Sequence, residues 1–189
     1  MSILNYLERS EGVLAETRRH AGVERLEEAV ELVVGALESG KPLLVCGNGG
    51  SAADAMHITG ELVGRFLRKR RALNCVCLSS NPAVLTAWAN DYSYDTVFSR
   101  QVEAYGQPGG VLLGVSTSGN SPNVVNAFDV ARAQGRSTVA LTGKGGGKLA
   151  ALAHILVDVP SSQTPFIQQV HICLYHYLCE QIEARFLGQ

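Results

Sequence analysis

The chain has 189 residues, of which 46% are hydrophobic and only 17% are charged, against roughly a quarter charged in ordinary soluble domains. Its formal net charge of −1 removes the global electrostatic case for nucleic acid or an anionic membrane surface as a partner, and no apolar run approaches the roughly 18–20 residues needed to span a bilayer. The N-terminal stretch MSILNYLERSEGVLAETRRH carries acids and no long apolar segment, unlike a secretory signal. The expected compartment is therefore the cytoplasm. So little charge on a small globule predicts that part of the surface is buried against other subunits.

Residues 3–21 and 23–39 read as two amphipathic helices. In the second, Leu26, Val30, Val33, Val34 and Leu37 recur at helical spacing, and Gly40 and Pro42 stop it. From there the pattern changes to short apolar runs at 43–46, 75–78, 111–115, 138–141 and 155–159. Each is followed by a turn rich in Gly, Ser, Asn or Pro and then usually by a helical stretch, at 51–67, 82–90, 94–105, 122–134, 147–153 and 165–187. Near-continuous apolar strands alternating with helices imply a parallel sheet covered on both faces. The fold class is thus α/β: one domain, residues 1–189, in which a three-layer core with a five-stranded sheet (41–189) follows an N-terminal helical pair (1–40). Ligands of such sheets bind beyond the carboxyl ends of the strands, so the strand-to-helix loops carry the functional signal.

The loop after the first strand is Cys46-Gly47-Asn48-Gly49-Gly50-Ser51. Its glycines allow close backbone approach, and the amides of a helix start attract anions; a tight turn with Ser51 as helix cap is the plainer reading. The loop after the third strand is Ser116-Thr117-Ser118-Gly119-Asn120-Ser121, followed by Pro122. Pro122 suits the first helical position and Ser121 the cap. Capping needs one hydroxyl, whereas four converge here, which suits a phosphate held by neutral hydrogen bonds and a helix dipole. A third glycine-rich segment, 143–148, reads as a simple turn rather than a lid.

His57 and Glu61 stand at i and i+4 on the helix after the first loop and share a face. That spacing chelates a metal or pairs a base with its orienter. The last helix carries Gln168, His171 and His176, with Gln168 and His176 about two turns apart on broadly similar sides. Arg65 follows Glu61 by one turn, and the run Arg68-Lys69-Arg70-Arg71 reads as a solvated helix end. Asn90-Asp91 reads equally as a helix-end turn and as a sugar-hydroxyl contact. The five cysteines (Cys46, Cys75, Cys77, Cys173, Cys179) form no CxxC pair and read as small hydrophobes of a reducing compartment.

Taken in order, the stretches CGNGGSAADAMHITGELVGRF, AND, LLGVSTSGNSPNVVNA, ALTGKGGG and IQQVHICLYH resemble the sugar isomerase (SIS) superfamily, and within it the phosphoheptose isomerase family, through nearly the whole chain. STSGNS marks the superfamily; the His57/Glu61 and Gln168/His176 sets are more specific to the heptose branch. The resemblance implies a flavodoxin-like sheet, N-terminal helices used in oligomerisation, and a homotetramer with active sites at subunit interfaces. It implies that Asn48, Gly49, Gly50 and Ser51 contact substrate, that Ser116, Thr117, Ser118 and Ser121 hold its phosphate, and that Asn90 and Asp91 contact the sugar. His57, Glu61, Gln168 and His176 match the family's ligands for one zinc per subunit, with Glu61 and Gln168 also facing substrate. Glutamine is an unusual zinc ligand on general grounds.

The implied reaction interconverts sedoheptulose 7-phosphate and D-glycero-D-manno-heptose 7-phosphate through an enediol, the first step of nucleotide-activated heptose biosynthesis for lipopolysaccharide. Glu61 would be its base and His176 its acid. Where family members often read T-x-R-I-Q-E-x-H, this chain departs, with Phe166 for arginine and Gln169 for glutamate. Pro165 stands where some heptose isomerases carry aspartate, and Ala52 adds no polar group after Ser51. The competing class is a non-catalytic phosphosugar-binding regulator of the replication-initiator-associating type, which generally lacks counterparts of Glu61 and His176.

Overall fold

The computed structural model describes residues 2–105 and 108–188. Its strands are β1 (Leu43–Gly47), β2 (Cys75–Cys77), β3 (Val111–Ser116), β4 (Ser137–Thr142) and β5 (Ile155–Asp158); its helices are α1 (Ile3–Thr17), α2 (Arg25–Glu38), α3 (Gly50–Val63), α4 (Pro82–Asp91), α5 (Val97–Ala104), α6 (Pro122–Ala133) and α7 (Thr164–Arg185). The strands pair in parallel in the order β2-β1-β3-β4-β5. This is the five-stranded α/β sheet expected from the apolar runs.

Why those runs are apolar throughout follows from the strand period of two. Leu43 and Val45 face one side with Val111, Leu113, Val139 and Leu141, and there meet Val30 and Val33 of α2, Ile58 and Leu62 of α3, and Val170 and Leu178 of α7. Leu44 and Cys46 face the other with Leu112 and Ala140, and meet Phe98 of α5 and Phe128 of α6. Full burial of each such side chain contributes about 1.5–3 kcal/mol, so both faces of the sheet are held by packing, even at the three-residue β2.

The element ends differ from expectation for local reasons. Helix α1 stops at Thr17 rather than 21, and the chain turns through Ala21–Val23 so that His20 meets Asp158 at 2.8 Å. Helix α3 stops at Val63 rather than 67, because the amides of Phe66, Leu67 and Arg68 turn away to donate to the Glu183 carboxylate at 2.9, 2.7 and 2.8 Å. The stretch expected as a helix at 147–153 is a 3-10 turn, Gly147–Ala151, and 94–105 begins as a 3-10 turn before α5.

Helix α1 packs on α7 through the residues that depart from the family pattern. Phe166 is buried with its ring 5.1 Å from that of Tyr6, the Arg9 guanidinium lies 4.8 Å above it, and Gln169 accepts from Ser10 Oγ. Helix α1 leaves Ile3 and Leu4 69% and 68% exposed. No helix among the described residues is long and apolar enough to cross a membrane.

Candidate functional site

The chain runs from β1 to the edge strand β2 and then back across to β3 on the other side of β1. The switch point of such a sheet lies between β1 and β3, and ligands bind at its carboxyl end. Both polar loops singled out by sequence emerge there. After β1, Gly49 takes φ +56°, a left-handed conformation that glycine adopts without strain, and it caps α3 in place of Ser51, which is buried inside the first turn. Asn48 is locked: its Nδ2 donates to Asn123 Oδ1 at 2.8 Å, and its Oδ1 accepts from Asn123 Nδ2 and the Tyr94 hydroxyl, both at 2.9 Å. Asn123, buried near the start of α6, therefore ties the two loops together. Sequence reasoning missed it, since an asparagine two residues into a helix carries no motif. Asn90 and Asp91 bond to each other at 2.9 Å, exposed at the end of α4 and three to four residues before Tyr94.

After β3, the Ser116 and Ser121 hydroxyls lie 3.1 Å apart. Ser121 is the N-cap of α6 by position, yet its side chain makes no capping bond, contrary to expectation. Its hydroxyl instead joins the loop. Ser118 Oγ accepts from the Asn120 amide at 3.1 Å. The glycine-rich segment after β4 buttresses this loop. Gly143 N–H donates to Thr117 O at 3.0 Å, Lys148 N–H to Asn120 Oδ1 at 3.0 Å and Leu149 N–H to Gly119 O at 3.1 Å. At Gly119, with φ +63°, a Cβ would overlap the Gly146 carbonyl, so the two turns interlock and the segment is a fixed turn.

The acid–base candidates converge on the outer face of α3 and α7. His57 Nε2 lies 3.0 Å from Glu61 Oε1, and the His57 and His176 ring centroids are 5.0 Å apart and near perpendicular. One ligand atom from each of His57, Glu61 and His176 lies within 4.8 Å of the others. Two imidazoles and a carboxylate are the donor set of a three-ligand zinc site that keeps one position open, so these residues fit the group the family resemblance implies. Gln168 sits two turns earlier on α7, where its amide occupies the space that a Cβ on Gly50 would need. It therefore lines the start of α3.

The other histidine of α7 is structural. His171 is fully buried and its Nε2–H donates to Thr142 O at 3.1 Å. Burial, outweighing that bond, lowers its pKa to about 4. Burial likewise raises the thiols of Cys46 and Cys179, and that of Cys75 to about 12, which leaves them inert. All five cysteines are free.

Two sequence expectations for the basic segment are corrected. Arg65 falls beyond the end of α3 and so is not one helical turn from Glu61. Arg70 is not solvated: its side chain is buried beside Glu183, Nε to Oε1 3.6 Å, and it donates to the Glu61 and Gly64 carbonyls at 2.7 and 2.9 Å. Burial alone would raise the Glu183 pKa; the three amide bonds and Arg70 outweigh it and hold the carboxylate below its ordinary value. Glu183 thereby fixes the segment that leaves α3, including Phe66, whose ring lies 5.4 Å from that of His176.

A cavity of about 700 Å³, lined by Met56, Thr59, Val76, Asn81 and Arg100 among others, opens elsewhere, beside β2. Its lining includes none of the three convergent residues and no acid–base pair, so the candidate chemistry is assigned to the cluster rather than to this cavity.

Known proteins share this fold. The SIS-domain family profile matches residues 5–143. That match ends before α7, so His176 lies outside it. A phosphoheptose isomerase of Crocosphaera subtropica is 48% identical over 164 residues, 87% of this chain and 84% of that protein. The structure of a phosphoheptose isomerase from Neisseria gonorrhoeae superposes with a TM-score of 0.90 at 40% identity, covering 96% of this chain and 97% of the other. One from Francisella tularensis gives 0.91 at 34% identity, covering 97% and 100%.

Proposed function

The chain belongs to the SIS-domain family and, within it, to the phosphoheptose isomerases, and on that premise we propose that it converts sedoheptulose 7-phosphate to D-glycero-D-manno-heptose 7-phosphate. The observation that carries the reading is the convergence of His57, Glu61 and His176 within 4.8 Å, drawn from two helices far apart in sequence. A phosphosugar-binding regulator needs the loops but not these groups.

In the proposed mechanism the Glu61 carboxylate takes the proton from the carbon next to the carbonyl. His176 gives a proton to the carbonyl oxygen, and an enediol forms. The reverse transfers, made at the neighbouring carbon and oxygen, yield the isomeric carbonyl, so no proton is gained or lost overall. Ser116, Thr117, Ser118 and Ser121, with the amides at the start of α6, hold the phosphate and so position the reacting end of the chain. Asn48, Gly49, Gly50, Ser51, Asn90, Asp91 and Gln168 are proposed to bind the sugar. His57, Glu61 and His176 would hold zinc, with Gln168 as the family's fourth ligand. When bound, zinc supplies Lewis-acid stabilisation of the developing oxyanion.

His57 is 45% exposed, and the apolar face of α1 is uncovered. Both features support a homotetramer whose sites are completed between subunits. Five free cysteines support a reducing, cytoplasmic setting. The test is to incubate the purified protein with sedoheptulose 7-phosphate, with and without a chelator, and follow product. Turnover that is lost with chelator and restored by zinc is expected. Binding without turnover would make the chain a regulator.

A further inference from the structure

The reading of His57, Glu61 and His176 as a metal site leaves open what aims them. Tyr175, which no motif singled out, is 1% exposed and touches both histidines. Its hydroxyl lies 2.9 Å from His57 Nδ1, and its ring centroid is 5.4 Å from that of His57 and 5.0 Å from that of His176, at 70° and 82°. On its far side the same hydroxyl reaches Asp54 Oδ1 at 3.5 Å. Asp54 stands one turn before His57 on α3, buried, and its Oδ2 has no partner among the described residues.

We propose that Tyr175 is a positioning residue for this metal site: its hydroxyl holds His57 Nδ1 so that Nε2 faces Glu61 and His176, and its ring sets the angle between the two imidazoles. The proposal rests on the reading of the cluster as a metal site.

The physical need is specific. An imidazole on a half-exposed helix position can turn over about its last torsion, which exchanges its two nitrogens at little cost. Which nitrogen binds a metal is decided by the bond that the other one makes. Tyr175 supplies that bond from a buried, immobile ring. A tyrosine hydroxyl has one proton and free lone pairs. Without a cation, Nε2–H donates to Glu61 and the hydroxyl donates to Nδ1; with one between Nε2 and Glu61, the hydroxyl can accept Nδ1–H while donating to Asp54, which leaves the Nε2 lone pair for the metal. Asp54 is the anchor of the relay, and its position on α3 keeps the relay in register with His57.

Tyr175→Phe keeps the ring and removes the hydroxyl. Metal-free protein is titrated with zinc against a chromophoric chelator and, separately, with cobalt while its visible d–d bands are recorded. The wild-type chain is expected to bind zinc. Tyr175→Phe is expected to bind it roughly 10–100-fold more weakly and with altered cobalt bands, at unchanged far-UV circular dichroism and unchanged affinity for inorganic phosphate. Asp54→Asn is expected to shift zinc affinity in the same direction and by less. Zinc affinity at the wild-type value in Tyr175→Phe overturns the proposal; if that variant does not fold, wild-type affinity in Asp54→Asn overturns it. A wild-type chain that binds neither metal overturns the metal reading beneath it, and that result is distinguishable because it needs no variant.

Discussion

The serine loop between β3 and α6 and the cluster between α3 and α7 solve different problems by different means. The loop is stitched mainly by its own backbone and by the neighbouring turn, through Gly143, Lys148 and Leu149. A phosphate carries its charge wherever it is bound, so fixed amides and hydroxyls at a rigid strand end suffice. The cluster joins His57 and Glu61 of α3 to His176, more than a hundred residues away on α7, and is aligned by the packing of those two helices and by Tyr175 between them. The proton transfer proposed for it tolerates little misplacement, so this region depends on side-chain supports, Tyr175 in contact with it and Glu183 farther along α7.

That contrast can be broken in graded ways. Glu61→Gln should lower kcat by roughly 10²–10⁴-fold while calorimetry still shows heptose phosphate binding, because the loop is untouched. Retained turnover would remove Glu61 as the base. Glu183→Ala leaves three amides and Arg70 without their partner, and should cost roughly 3–5 kcal/mol in urea unfolding. In the protein that remains folded it should lower kcat more than it raises KM; an unchanged unfolding midpoint would show that the segment after α3 is not held from α7.

Acid should act through His171, which pins α7 to the end of β4. Its pKa is lowered to about 4 in the folded chain, against about 6.5 unfolded. Between these values the unfolded chain binds more protons, so stability rises with pH there. Roughly 3 kcal/mol present at neutral pH should be lost as pH falls from about 6.5 to about 4. Urea midpoints at neutral pH and below pH 5 would show it, and His171→Gln should flatten that part of the profile. The smallest effect is expected from Ser116→Ala: a KM raised roughly tenfold, as for one hydrogen bond to a charged group, with kcat nearly unchanged. A fall in kcat instead would mean that the two regions are not separable.

Much of this molecule was legible in the order of its residues. The five strands are short apolar runs because both faces of the sheet are covered, and that burial leaves a compositional trace. The serine loop and the His57/Glu61 pair were legible because their spacing is local, within one turn or one helix face. The ends of α1 and α3 were not, since His20 and Glu183 settle them through contacts with residues far along the chain. Nor could composition foretell that Arg70, in a run of four basic residues, turns inward.

Sequence by itself determined the sheet, its binding end and the chemical types placed there. Spacing left both histidines of α7 open and the family resemblance named His176; tertiary structure shows what physically separates the two. His171 and His176 are five residues apart on one helix, and the rotation of that helix against the sheet buries the first against Thr142 and delivers the second to His57. It also decided that Asn123 couples the two loops and that Tyr175 stands between the histidines. The reason is physical: periodicity states which residues share a face of one element, but the partner of that face is fixed only when whole elements pack.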